Sequence, residues 1–180
     1  MARSHGIDTI VVSDERDAER ARGVGFTDIR ILRVVDGGDA EAVYGVRGGS
    51  RPVLSLTGEV VALKRVDAGA GVSYGYTHRT PEATNLALVG LGYADGVPRL
   101  ASNRALVRLA DGVHPIVGRI AMDQCVVSCG DAHPAPGDQV VLFGDPSRGE
   151  PSAAQWAEWT ERSPLALTAG LGDRIRRVAR

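Results

Sequence analysis

Three short glycine-containing segments carry the side chains of this chain that could move a proton. They are residues 71–75 (Gly-Val-Ser-Tyr-Gly), residues 92–96 (Gly-Tyr-Ala-Asp-Gly) and residues 118–124 (Gly-Arg-Ile-Ala-Met-Asp-Gln). Tyrosine and carboxylate groups act as general acids and bases, and a lysine amine forms Schiff bases with carbonyl compounds. The chain has a single lysine, Lys64. Proton transfer therefore has several candidate groups, whereas covalent amine chemistry depends on one residue.

The elements that must position these segments are short apolar runs, separated by Gly, Pro, Asp and Asn, that begin at Val53. The candidate strands are residues 53–66, 85–91, 105–109, 113–117, 124–129 and 139–143. Several short strands at this spacing predict a mainly β fold, a Greek-key β-barrel or sandwich. One helix follows, with Ser152 as its N-cap and Ala153, Trp156, Ala157 and Thr160 on one face. We expect Ile175 and Val178 to lie in a last strand or extended segment.

The first fifty residues have a different pattern. A β-branched run at residues 8–12 precedes Ser13, a good N-cap, and a helical stretch that contains Ala18 and ends near Gly25. A second apolar run covers residues 29–35. Strand, helix and strand within about 30 residues predict a small βαβ unit. Glycines at residues 48–49 place the boundary near residue 50, which gives a βαβ segment at 1–50 and a β-domain at 51–180.

Composition limits the classes of function. At 180 residues the chain can form one domain, or one with an appendage, and a domain of this size buries about 70% of its unfolded surface. The formal net charge of -1 gives no overall field for nucleic acid or an anionic membrane. There is no apolar run of about 18 residues and no apolar signal-peptide core after residue 5. We therefore expect a soluble cytoplasmic protein that binds neither nucleic acid nor membranes.

The two cysteines are expected to be structural. Cys125 and Cys129 are four positions apart in an apolar run, which places them about 13 Å apart in an extended strand. A disulfide needs Cα atoms within about 7 Å. Two cysteines and four scattered histidines also give no zinc-binding spacing. The sequence predicts two buried thiols and no metal site.

Residues 51–177 resemble the C-terminal β-domain of the alanine racemases, because motifs of that domain occur here in the same order. They are residues 51–56 (Arg-Pro-Val-Leu-Ser-Leu), 72–75 (Val-Ser-Tyr-Gly), 92–99 (Gly-Tyr-Ala-Asp-Gly-Val-Pro-Arg), 102–103 (Ser-Asn), 117–124 (Val-Gly-Arg-Ile-Ala-Met-Asp-Gln), 137–138 (Gly-Asp) and 167–174 (Leu-Thr-Ala-Gly-Leu-Gly-Asp-Arg). No single motif is specific, but their common register is. The resemblance implies a fold like that β-domain and a relation to D-amino acid metabolism.

The resemblance also implies roles for four residues. Tyr74 matches the tyrosine that is one of two bases flanking the substrate α-carbon, which makes it the candidate catalytic residue. Tyr93 matches a tyrosine at the entrance of the site. Met122 and Asp123 match a substrate-binding pair whose methionine amide lies close to the substrate carboxylate. A further family tyrosine near the C-terminus is replaced here by Asp173, so the resemblance leaves the shape of the entrance open.

These residues also have structural interpretations. Tyr74 could be a half-buried tyrosine kept at a strand end by packing, and residues 94–96 (Ala-Asp-Gly) suit a turn by themselves. For Arg119 the favoured interpretation is a buried salt bridge within the β-domain, and for Met122 it is packing. For Tyr74 the surrounding motif favours descent from a catalytic base.

The family's pyridoxal phosphate is held by a lysine of an eight-stranded α/β barrel of about 250 residues, which cannot fit into residues 1–50. Residues 8–35 resemble one βαβ unit of that barrel, and residues 43–46 resemble the exit from its last strand. Lys64 lies in a predicted strand, and we expect it to be solvated with Asp67 or Glu59 as its partner. The resemblance therefore implies no cofactor on the isolated chain, and pyridoxal phosphate only where a partner supplies the lysine and the barrel.

Three functions remain open from the sequence. The chain could dock on a separately encoded barrel protein and supply Tyr74, Tyr93 and Met122 in trans to an amino-acid racemase site. It could instead be a non-catalytic binding or regulatory module, a pseudoenzyme derived from that domain. The weakest alternative is racemisation or transamination by the chain alone through Lys64. We expect a homodimer or a complex with a barrel protein, and no competent racemase from the chain alone.

Overall fold

The computed structural model describes residues 9–12, 15–23, 28–31, 52–110 and 112–178. The chain divides into two compact units, Met1–Val43 and Tyr44–Arg180.

The first unit contains the predicted strand, helix and strand. Strand β1 covers Thr9–Val12, helix α1 covers Glu15–Gly23 and strand β2 covers Asp28–Ile31. The two strands pair in parallel, with Ile10 opposite Ile29. Ala18 and Ala21 are buried on one face of α1, one turn apart. The βαβ prediction is confirmed, whereas the predicted N-cap Ser13, the helix end near Gly25 and residues 43–46 lie outside the described residues.

The second unit is built around a six-stranded antiparallel sheet. Its strands are β3 (Leu56–Val66), β6 (Thr84–Val89), β7 (Leu106–Leu109), β8 (Gly112–Pro115), β9 (Cys125–Gly130) and β10 (Gln139–Phe143). Two further strands, β4 (Gly71–Val72) and β5 (His78–Arg79), form a small separate hairpin. The strand order in the large sheet is β8-β7-β10-β3-β6-β9. Strands β9 and β10 are consecutive in the chain but are not neighbours, which is typical of a Greek-key connection.

The sheet nearly closes into a barrel. Its two outer strands in that order, β8 and β9, come together through a bridge between Ile116 and Val127. The Val117 N–H adds a hydrogen bond to the Val126 carbonyl at 2.9 Å. The predicted mainly β, barrel-like fold is confirmed.

Alternation of apolar side chains explains the interior of this barrel. In β9 the first, third and fifth residues, Cys125, Val127 and Cys129, are buried, and the residues between them are only partly buried. A side-chain period of two places every second residue on the same face of a strand. Val107 and Val140 from neighbouring strands join the same fully buried cluster. The two cysteines are free thiols in this core, as predicted.

Two helices pack on the barrel, where the sequence predicted one. Helix α2 covers Ala153–Thr160, and Ser152 caps it as predicted, with its Oγ accepting the Gln155 N–H at 3.1 Å. Trp156 of α2 is fully buried and donates its indole N–H to the Leu106 carbonyl at 3.1 Å. The helix that the sequence analysis missed is α3, Pro164–Ala169, which starts at a proline. Proline is well tolerated in the first turn of a helix, where its missing N–H costs nothing.

Several predicted boundaries shift. The first long strand begins at Leu56 and not at residue 53, and residues 175–178 form no strand. The run at residues 113–117 becomes β8 followed by the closing bridge at Ile116. No helix among the described residues is long and apolar enough to cross a membrane. The described residues also contain no cluster of metal-ligating side chains.

Candidate functional site

Tyr74 lies on the hairpin formed by β4 and β5. The connection is a single 3-10 turn, Tyr74–Tyr76, entered through Ser73. Ser73 and Tyr76 both have positive φ angles, 57° and 46°, a region that residues other than glycine seldom adopt. The Tyr74 side chain is 66% exposed. The interpretation of Tyr74 as a half-buried tyrosine kept by packing is therefore wrong.

Tyr93 opens a second 3-10 turn, Tyr93–Asp95, between Gly92 and Gly96. Gly96 has a φ of 98°, which suits glycine because it has no Cβ. The buried carboxylate of Asp95 accepts the Gly92 N–H at 2.8 Å and closes the turn. The turn predicted for residues 94–96 is confirmed, and the tyrosine at its start stays 40% exposed.

Residues 117–124 form the third segment, which follows β8 and leads into β9. Two side chains of a neighbouring turn hold its backbone: Asn103 Oδ1 accepts the Gly118 N–H at 2.6 Å, and Ser102 Oγ accepts the Ile120 N–H at 2.9 Å. Asn103 itself has a φ of 58°. The Ser102-Asn103 pair, which the sequence analysis noted only as a motif, therefore shapes this segment.

The three segments meet at residues 117–124. The Ser73 hydroxyl donates to the Arg119 carbonyl at 2.5 Å, which joins the Tyr74 turn to this segment. The Tyr93 N–H donates to the Ala121 carbonyl at 3.0 Å, and the Ala94 N–H donates to the Met122 carbonyl at 2.9 Å. All three sequence-predicted segments thus lie on one face of the barrel.

Gly92 makes this close approach possible. A Cβ atom at this position would lie 2.3 Å from the Met122 carbonyl oxygen and 2.4 Å from the Ala121 carbonyl oxygen. These are backbone atoms, so a side chain could not be accommodated by a rotamer change. The glycine before Tyr93 is therefore required by the contact between two segments and not by its own φ angle of -142°.

Beside Tyr74 lies a pocket of about 260 Å³, whose lining includes Ser73, Arg119, Ala121 and Gln124. The buried Cys125 also lines this pocket, and burial raises the pKa of its thiol to about 12. The thiolate is the reactive form of cysteine, so this residue is chemically inert near neutral pH. The other polar groups that line the pocket are the phenol of Tyr74, the hydroxyl of Ser73, the amide of Gln124 and the guanidinium of Arg119.

Met122 and Arg119 are both more exposed than their structural interpretations predicted. Met122 is 52% exposed, so it is not a core packing residue. Its backbone N–H donates no hydrogen bond to any described residue. Arg119 is exposed and forms no ion pair with the described part of the chain, so the predicted buried salt bridge is wrong. Its neighbours Gly118 and Ile120 are buried, whereas the Arg119 side chain is left exposed to solvent.

The predicted binding residue Asp123 is held by an arginine that the sequence analysis did not assign to the site. Arg174 Nη1 donates to Asp123 Oδ1 at 2.7 Å, while its Nε lies 3.2 Å from Asp95 Oδ1. The hydrogen bond to Asp123, with the charge of Asp95 beside it, raises the pKa of Arg174 above its ordinary value. The sequence did point to Arg174, because it is the last residue of the motif at residues 167–174. Its partners lie too far away in the chain to be read from spacing.

Arg99 lies over the ring of Tyr93, with its guanidinium carbon 5.4 Å from the ring centroid. This is within the range of a cation–π contact. Arg99 and Arg119 also line an open pocket of about 460 Å³ next to Ser102 and Asn103. The face that carries the two tyrosines is therefore bordered by two arginines.

The fold and these loops define a mainly β, barrel-type domain that presents two tyrosines on one open face. Residues 53–179 match the family described as alanine racemase, C-terminal domain. The chain therefore belongs to the alanine racemase family, through its C-terminal domain.

Individual relatives agree with this assignment. The alanine racemase of Thermobifida fusca is 47% identical over 130 residues, which covers 72% of this chain and 35% of that protein. The crystal structure of alanine racemase from D-cycloserine producing Streptomyces lavendulae superimposes with a TM-score of 0.76 and 39% identity, covering 86% of this chain and 41% of the other. The chain thus spans about a third of the length of the curated relatives that it matches.

A second solved structure contains a cofactor. The structure of alanine racemase from Bartonella henselae, with 24% identity and a TM-score of 0.72, carries covalently bound pyridoxal phosphate and covers 96% of this chain and 56% of the other. At this identity the likeness shows the fold alone.

The described residues do not fit a covalently bound pyridoxal phosphate. Such a bond needs a lysine amine, and Lys64 is exposed near the C-terminal end of β3, opposite Leu86 of β6. No hydrogen bond among the described residues joins Lys64 to any of the three site segments. Lys64 is solvated as predicted, but it forms no ion pair with Asp67 or Glu59. The three site segments therefore contain phenol, hydroxyl, carboxylate and guanidinium groups but no lysine.

Proposed function

We propose that this chain supplies the tyrosine-bearing half of an amino-acid racemase site, completed in trans by a separate barrel protein that carries pyridoxal phosphate on its own lysine. The observation that carries this proposal is the placement of Tyr74. Its side chain projects into solvent from a backbone that is tightly held, through the Ser73 hydrogen bond to Arg119. A fixed but unburied phenol is suited to act on a group outside its own domain.

The neighbouring Tyr76 provides an internal comparison. It is almost as exposed as Tyr74, but a Cβ at Gly71 would lie 2.4 Å from its ring, so the ring covers the hairpin backbone. Arg79 lies over the same ring at 5.8 Å from its centroid. Tyr76 thus has contacts within its own hairpin. Tyr74, in contrast, forms no aromatic or cation–π contact with any described residue.

In the proposed reaction, Tyr74 exchanges a proton with the substrate α-carbon on one face only. Racemisation removes a proton on one side of the carbon and returns one on the other, so it needs a second acid/base group opposite Tyr74. That group belongs to the partner, together with the cofactor, which withdraws electrons from the α-carbon when bound. This chain contributes one proton carrier and part of the binding surface.

Binding groups for a carboxylate lie on the same face. The free N–H of Met122 can donate to a carboxylate oxygen, and Arg119 and Arg99 give the face positive charge. A guanidinium forms strong charge-assisted hydrogen bonds with carboxylates. These groups support an α-amino acid as the substrate class. Tyr93, which is stacked under Arg99, borders the approach to Tyr74 in this proposal.

The proposal is tested by mixing the chain with a barrel fragment of the Thermobifida fusca enzyme, loaded with pyridoxal phosphate, in D₂O. Loss of the α-proton signal of L-alanine in NMR spectra measures exchange. We expect exchange from the mixture and from neither protein alone. Tyr74→Phe should lower the rate by about 100-fold or more, in the range of a lost general acid/base. Tyr76→Phe is the matched control and should keep most of the rate.

Size-exclusion chromatography of the same mixtures separates the alternatives. A complex that forms without any exchange would favour the non-catalytic binding module. Neither complex nor exchange would overturn the proposal. If the chain forms a homodimer in the same experiment, this would indicate that a second copy normally covers one of its exposed apolar or charged faces.

A further inference from the structure

We propose that Arg174 is a positioning residue that clamps the Tyr93 turn to the Met122 segment, and that Asp123 is a member of this clamp and not a substrate ligand. The clamp is defined as Asp95, Arg174 and Asp123. For its kinetic test this inference rests on the function proposed above. For its structural test it stands on the chain alone.

Asp95 gives the clamp its fixed end. Its side chain is 6% exposed, and one carboxylate oxygen caps Gly92 while the other faces the Arg174 Nε at 3.2 Å. A buried carboxylate is costly unless its charge is paired and its oxygens are hydrogen-bonded. The Asp95 carbonyl also accepts the Gly172 N–H at 3.0 Å, which anchors the chain just before Arg174. Asp95 thus contacts both the Arg174 side chain and the backbone two residues before it.

Asp123 forms the other end. Its Oδ1 accepts from Arg174 Nη1 at 2.7 Å, a short distance that is typical of a charge-assisted hydrogen bond. The residue directly before it is Met122, whose carbonyl accepts the Ala94 N–H. One guanidinium therefore adds a side-chain link between the turn that carries Tyr93 and the segment that carries the Met122 amide, beside the two backbone hydrogen bonds that join them.

The hydrogen bond between Asp123 and Arg174 makes the Asp123 carboxylate less available for binding a substrate. Arg174 already occupies Oδ1 of Asp123, so only the second oxygen is left for a substrate ammonium group, and a movement of Asp123 toward a substrate would disturb the arginine that faces the buried Asp95. The geometry instead gives Asp123 a partner within the domain. The substrate contact at this position then falls to the Met122 backbone.

An arginine is needed at this position because two carboxylates approach from different sides. The guanidinium offers several N–H donors in a rigid fork, whereas lysine has one compact ammonium group. Arg174→Lys should keep the charge but hold only one of the two carboxylates. Arg174→Gln should lose both the charge and the fork.

The first test uses amide hydrogen exchange on the full chain, followed by NMR. Arg174→Gln should speed exchange of the Gly92 and Tyr93 amides by at least about tenfold, while amides of the barrel core, such as Val127, keep their rates. Arg174→Lys should give an intermediate change. Arg65→Gln is the matched control, since it breaks another exposed arginine–carboxylate pair, with Asp131 at 3.0 Å, which lies beyond the end of β9 opposite to residues 117–124.

The second test is a double-mutant cycle with Asp123→Asn and Arg174→Gln in the α-proton exchange assay. A clamp predicts that each single variant weakens alanine binding, seen as a rise in KM of about tenfold, and that Asp123→Asn adds nothing further once Arg174 is gone. A substrate ligand predicts that the two effects multiply. The cycle therefore separates a positioning role from a binding role.

The outcomes are distinct for the two proposals. Unchanged Gly92 and Tyr93 exchange in Arg174→Gln, or multiplicative effects in the cycle, would overturn the clamp. If the unaltered mixture shows no α-proton exchange, the proposed function fails, and faster amide exchange in Arg174→Gln would still establish the clamp.

Discussion

The barrel interior and the site-bearing loops of the second unit are stabilised in different ways. In the barrel, many apolar side chains such as Val127 and Trp156 are excluded from water, and each contributes by its buried area. In the loops the contacts are few and polar, and they depend on particular atoms, such as the Ser73 hydroxyl on the Arg119 carbonyl. The barrel should therefore tolerate exchange among apolar residues of similar size, whereas the loops should tolerate little change at single positions.

The largest expected effect is in the barrel. Trp156→Ala removes a fully buried side chain and its indole hydrogen bond to Leu106, and should lower the free energy of unfolding by about 3 to 5 kcal/mol. Trp159→Ala, on the same helix but only partly buried, is the control and should cost clearly less. Urea unfolding followed by circular dichroism measures both. If both variants lose the same unfolding free energy, the extent of burial does not determine the size of the loss.

The next effect tests the loops. Gly92→Ala places a methyl group against two backbone carbonyls, and should lower the free energy of unfolding by about 1 to 3 kcal/mol, as overpacking does. In the mixed assay it should also lower α-proton exchange, because the Tyr93 turn and the Met122 segment are forced apart. Gly90→Ala is the control, since its methyl would meet only a Val61 methyl at 3.1 Å. A similar response from both variants would mean that the close approach at Gly92 is not restrictive.

The smallest expected effect concerns Cys125, which lies at the border between the site-bearing loops and the barrel interior. Cys125 follows the site segment directly, and its pKa rises from 9.0 to about 12 in the fold. Above pH 9 the unfolded chain loses this proton while the folded chain keeps it, so stability is lost as pH rises. The free energy of unfolding should fall by about 1 kcal/mol between pH 9 and 10 through this group. Cys125→Ala should remove that part of the fall, and an unchanged slope would place Cys125 outside the core.

The sequence predicts the barrel better than the loops for a physical reason. Strand β10, Gln139–Phe143, and the Ser152 cap were predicted at the correct residues, because alternation and capping are local signals. Helix α3 was missed because its six residues are too few for a periodic pattern and Pro164 resembles a breaker.

Positions in the loops depend on contacts between distant parts of the chain. The resemblance identified the segments that carry Tyr74, Tyr93 and Met122, and the structure brings these segments together. The positive φ of Ser73 and the partners of Arg174 could not be predicted, because both depend on contacts with residues at least 46 positions away in the chain. The roles of Tyr74, Tyr93 and Met122 in a reaction stay predictions.

The connection from β8 to β9 has a consequence for solubility. Strands with unpaired edges can bind the edges of other chains and start aggregation. Here the two outermost strands of the sheet are joined by residues 117–124, and the bridge from Ile116 to Val127 brings them together. We therefore expect that a change which loosens this segment would not only disturb the tyrosine face but also open two strand edges to intermolecular pairing.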